Sequence, residues 1–152
     1  MLSDSEKKYL SEILRQLEKS AATLEFSFKK CININITNDL TEEDKDGFES
    51  LTAKFARLSD LIIKKAFRLL EVLDLEDKTE TVRDLISNAE KKGLIEDEIM
   101  FLELRKFRNK IVHEYVLQED DILDIYKFVI EKTQLLIDTV KNIRTYSGNY
   151  FI

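Results

Sequence analysis

His113 is the only histidine in this chain, and it lies five residues after Arg108 in a local run of cations, Arg105, Lys106, Arg108 and Lys110. Asn109 follows Arg108 directly, and Tyr115 follows His113 by two. A histidine titrates near neutrality and so moves protons at working pH. An arginine keeps its charge and can grip two phosphate oxygens together. The two types side by side suit proton transfer on an anionic group. The same residues also have a plain alternative, in which the charge run is a solvated helix face and the histidine caps or packs.

These side chains need an element to hold them, and the spacing predicts a helix from about Glu96 through Tyr115. At about 100° per residue, Met100, Phe101, Leu104, Phe107, Ile111 and Val112 share one apolar arc, and Glu103, Lys106, Lys110 and Glu114 face the other way. Arg108 falls inside the apolar arc, where an arginine is costly unless it is paired or meets a wet cleft or an anionic ligand. Arg105, Asn109 and His113 form a polar stripe beside it. Arg108 and His113 lie about 140° apart on one straight helix and do not face each other squarely. Two copies meeting across a two-fold axis would remove that difficulty, each completing the other's site.

The rest of the chain reads as helix. It has 152 residues, no proline and only three glycines, so the residues that punctuate strands and turns are scarce. A hydrophobic fraction of 43% beside 36% charged residues fits one folded domain over 1–152 rather than a disordered chain. Leu10, Ile13, Leu14, Leu17, Ala21, Leu24 and Phe28 predict a helix from about Asp4 to Lys30. The stretch 31–40 breaks that pattern and is expected to be a long loop. Thr41, followed by Glu42, Glu43 and Asp44, opens a second helix expected to run to about Leu75. In it Phe48, Phe55, Ile62 and Leu69 recur every seven residues beside Leu51, Leu58 and Val72, with Lys65 interrupting the second row. A shorter helix from Thr79 to Lys92 should end at Gly93. A last one, opened by Glu119 and Asp120, carries Ile122, Ile125, Phe128, Val129, Leu135, Leu136 and Val140, and 147–152 is expected to be a frayed tail or packed on a partner. The expected architecture is an all-α, single-domain, up-and-down bundle of four to five helices.

The chain carries a net charge of −6, which repels nucleic acid at long range, so any RNA contact must come from a local basic patch. The single cysteine, Cys31, cannot form an internal disulfide, no apolar run approaches a membrane span, and no leader is recognisable at the N-terminus. A cytoplasmic location is expected.

Arg108, four residues, His113, one residue, Tyr115 resembles the R-x4-H-x-Y pattern of HepT-like HEPN proteins, and Asn109 matches the frequent R-N opening. Lys91-Lys92-Gly93-Leu94-Ile95 and Arg105-Lys106-Phe107-Arg108-Asn109 are similar to the same family. The specific part of the likeness spans about Gly93 to Tyr115. It implies a HEPN-like bundle that dimerises with two motif helices lining a shared cleft, and a metal-independent ribonuclease toxin. Such toxins are paired with a minimal (MNT-type) nucleotidyltransferase antitoxin that transfers AMP to the motif tyrosine. Carried over, Arg108 and His113 are the catalytic pair, Asn109 orders the site, Tyr115 is the AMPylation target, and Arg105, Lys106 and Lys110 contact RNA. No cofactor and no metal site is expected. The competing expectation is a non-catalytic helical module that binds, or presents substrates to, a nucleotidyltransferase.

Overall fold

Ser3 and Glu6 start the first helix reciprocally: the Ser3 hydroxyl accepts from the Glu6 amide at 3.1 Å and the Glu6 carboxylate from the Ser3 amide at 3.0 Å. In the computed structural model, which describes residues 2–76, 81–113 and 119–151 and the side chains of all of these but 111–113 and 119, this helix, α1, covers Asp4–Cys31. Leu10, Ile13, Leu17, Ala21 and Leu24 form its buried stripe, while Leu14 and Phe28 are partly covered. Residues 32–41 are a loop, as the broken periodicity predicts. Ile34 and Ile36 lean on the core, and Leu40 is buried in it.

The second rod opens on another reciprocal cap. The Thr41 hydroxyl accepts from the Asp44 amide at 3.0 Å, and the Asp44 carboxylate returns the bond. α2 covers Glu42–Asp60, a π-helical segment follows over Leu61–Phe67, and α3 completes the rod over Arg68–Leu73. The rod ends with Leu75 at φ 60, a left-handed position filled without glycine.

The π segment corrects the expected seam. Phe48, Phe55, Ile62, Leu51 and Leu58 are buried as the seven-residue rows require, but Val72 is 66% exposed and Leu69 only partly covered. Ala66, Leu70 and Leu73 are buried in their place. A π turn spends an extra residue on one turn of helix, so every core position after it moves one residue along the sequence. Lys65 therefore leaves the row that it seemed to interrupt.

α4 covers Val82–Lys91, capped by the Thr81 hydroxyl. The expected start at Thr79 lies outside the described residues. Gly93, at φ 78, closes the helix, and the Leu94 amide reaches back to the Ala89 carbonyl at 3.0 Å. α5 covers Glu98–His113 and α6 covers Glu119–Ser147, followed by one 3-10 turn, Gly148–Tyr150. Tyr150 packs against the core and against Tyr146, so the segment as far as Tyr150 docks on its own bundle, and Ile152 lies outside the described residues.

α1 packs along α2 and α6, and α5 lies against α2, α4 and α6. Phe107 of α5 stacks on Phe128 of α6 with ring centroids 3.8 Å apart. The described residues are all helix, turn or loop, with no strand among them, and no helix among them is long and apolar enough to cross a membrane.

Candidate functional site

Arg108 projects from α5 towards the rod that carries Asp60, and its side chain is only 12% exposed. One guanidinium nitrogen, Nη2, donates to the Asp60 carboxylate at the last turn of α2. The other, Nη1, donates to Asn109 Oδ1 at 2.9 Å. The buried Nε has no hydrogen-bond partner among the described residues. The cost of placing an arginine on an apolar arc is thus offset largely by one carboxylate, supplied from 48 residues upstream.

Asp60 is the residue that sequence reasoning missed. It has a second cation, Lys64, with Nζ at 3.9 Å one turn further along the rod. It therefore stands between two positive groups, one on α5 and one on its own rod. It also marks the last α-helical residue before the π segment, a departure from α geometry that is common at functional sites.

The remaining residues of the expected site are placed unevenly. Asn109 is brought onto the Arg108 guanidinium, from which its amide oxygen accepts a hydrogen bond. Arg105 and Lys110 are half-buried and Lys106 is exposed, all on α5. His113 is the last described residue of α5, and its side chain lies outside the described residues, as does Tyr115 entirely. Among the described residues no three histidine, cysteine, aspartate or glutamate side chains gather as a metal-holding group.

Chemically, the described part of this site is a guanidinium fixed by a carboxylate on one side and an amide oxygen on the other, at the end of the helix that leads to His113. A fork held in this way is orientated before any ligand arrives. An anion that displaced Asp60 would meet a charge already desolvated and aimed.

No family model, curated protein or solved structure matches this chain.

Proposed function

We propose that this chain is a HEPN-type ribonuclease toxin, a metal-independent RNA endonuclease that works as a cytoplasmic homodimer and is silenced by an MNT-type nucleotidyltransferase antitoxin. The observation that carries the reading is Arg108: a nearly buried guanidinium, held in place by Asp60 and Asn109, its Nε without a hydrogen-bond partner among the described residues, five residues before the only histidine in the sequence.

In this mechanism the 2′-oxygen of the substrate attacks the adjacent phosphorus and the bond to the 5′-oxygen breaks. The products are a 2′,3′-cyclic phosphate and a free 5′-hydroxyl. His113 of one protomer takes the 2′-hydroxyl proton and His113 of its partner delivers one to the leaving oxygen, a role worth about 10²- to 10⁴-fold. Arg108 neutralises the charge that builds on the non-bridging oxygens. AMP added to Tyr115 puts volume and negative charge where the RNA phosphate must sit.

The test is cleavage of single-stranded RNA by purified protein in excess chelator. Wild type should yield cyclic-phosphate ends, and His113→Ala should lose activity while keeping its helical signal and its mass in light scattering. Undiminished cleavage by His113→Ala, or a monomer at micromolar concentration, would overturn the reading. One observation favours the second reading, a non-catalytic helical partner of a nucleotidyltransferase. Asp60 already neutralises Arg108 within the chain, which gives the arginine a purely architectural reason to be there.

A further inference from the structure

Along the seam between α1 and the α2–π rod runs a groove of about 480 Å³. Its walls carry Arg15 and Lys19 from α1 and Lys54, Arg57, Lys64 and Lys65 from the rod, against one carboxylate among the described residues, that of Asp60. In a chain of net charge −6 this concentration of cations runs against the overall balance. Some of them are committed: Arg15 is held by Glu12 at 2.6 Å, Lys54 donates to Ser27 Oγ at 2.6 Å, and Lys64 faces Asp60. Lys19, Arg57 and Lys65 are exposed and make no ion pair among the described residues. Like charges set this close repel one another, and an anion in the groove relieves that repulsion.

We infer that this groove carries the phosphate backbone of single-stranded RNA, delivering it to the Asp60–Arg108 site. The assignment rests on the ribonuclease reading for its substrate. The cations from Lys54 to Lys65 span roughly 16 Å of rod at 1.5 Å per residue. One phosphate can satisfy only a pair of them, whereas a chain of phosphates satisfies the row. Leu61 and the aliphatic stems of the cations give the groove an apolar surface, and Gln16, Ser20 and Thr23 supply polar groups able to meet ribose hydroxyls. No aromatic side chain lines it among the described residues, so bases have no stacking platform and binding should be tolerant of sequence and steep in salt. Asp60 belongs to both features, lining the groove and holding Arg108. A strand in the groove therefore runs beside the carboxylate that must release the arginine.

The experiment uses the full chain as His113→Ala, so that RNA is not consumed, and a fluorescein-labelled single-stranded RNA of mixed sequence followed by anisotropy across a salt series. Adding Lys19→Gln, Arg57→Gln and Lys65→Gln together should weaken binding at least tenfold at low salt. It should also lower the slope of log affinity against log salt by about 2, at roughly 0.7 per lost phosphate contact on a single strand. If the triple change lowers the thermal midpoint below the assay temperature, Arg57→Gln alone makes the same comparison, with a slope change of about 0.7. Unchanged affinity and slope overturn the groove but leave the ribonuclease reading standing if wild type still cleaves. Weakened binding in a protein whose wild type never cleaves upholds the groove and sinks the ribonuclease reading. A change of mass in light scattering would make the groove a contact between two copies. Equal competition by polyglutamate of matched charge would make it a general polyanion site. Either result overturns the RNA assignment.

Discussion

Asp60 and Arg108 form an ion pair across two helices with unequal exposure: the arginine side chain is 12% accessible and the aspartate 32%. The carboxylate therefore rehydrates more readily than the guanidinium when the pair opens. Removing Asp60 strands a desolvated charge, and removing Arg108 leaves a carboxylate that still has Lys64 and water.

Asp60→Ala should accordingly destabilise the fold by about 1–3 kcal/mol, less than the roughly 3–5 kcal/mol of a fully buried broken pair because Asp60 is partly wet. Arg108→Lys should cost less, since a lysine keeps the charge, yet it should abolish RNA cleavage because the planar fork is lost. Urea unfolding with an unchanged slope measures the first, and product analysis on RNA measures the second. Equal stability losses for the two variants would show that a stranded charge is not what Asp60→Ala costs.

Tyr115 is the expected point of control by the nucleotidyltransferase. Incubated with that enzyme, ATP and magnesium, the wild-type chain should gain one or more AMP masses and lose ribonuclease activity. Tyr115→Phe should gain none and keep at least part of its activity. Intact mass spectrometry reads this directly, and equal labelling of the two proteins would place the modification on another residue.

Tyr146 and Asp74 lie 72 residues apart and share a hydrogen bond of 2.6 Å, with Lys92 also on Asp74 at 3.0 Å. Burial of the phenol, then its bond and charge contact with Asp74, push the Tyr146 pKa up to about 12 from a usual 10. A raised folded-state pKa means that the folded chain holds this proton more tightly than the unfolded chain does. The contribution is complete below pH 10 and disappears between about 10 and 12. Tyr146→Phe should cost roughly 1 kcal/mol near neutrality, and the gap between variant and wild type should shrink across that alkaline window. A gap constant to pH 12 would contradict the bond.

Local features of the fold were legible because their causes are local. The buried stripe of α1, the Thr41 start and the Gly93 stop each rest on residues within one or two turns of each other. Phe101 and Leu104 are fully buried on the expected arc of α5, with Phe107 partly covered. Asp60 was not legible as the partner of Arg108, because a contact between residues 48 apart leaves no spacing in the sequence. The cationic groove was hidden for the same reason: its walls come from two helices, and the spacing within either does not show that Arg15 and Lys19 face Lys54, Arg57, Lys64 and Lys65. The π segment did leave a trace in Lys65, a charge on a core row, but one residue does not distinguish a break in a seam from a shift of it.

That shift makes the long rod a sequence in two phases joined by a single surplus residue. Before it, core positions follow Phe48, Phe55 and Ile62 together with Leu51 and Leu58; after it, they fall on Ala66, Leu70 and Leu73. Counting with one residue removed, Ala66 continues the row of Leu51 and Leu58, and Leu70 continues that of Ile62. Deletion of Lys65 should therefore leave a plain α-helix with the same core, one residue shorter and no less stable in a thermal melt. It should also remove a cation from the groove wall and turn Lys64 relative to Asp60. Most single deletions inside a helix scramble everything downstream; here the chain carries a spare tooth, and taking it out separates what the rod needs to fold from what it holds out to a ligand.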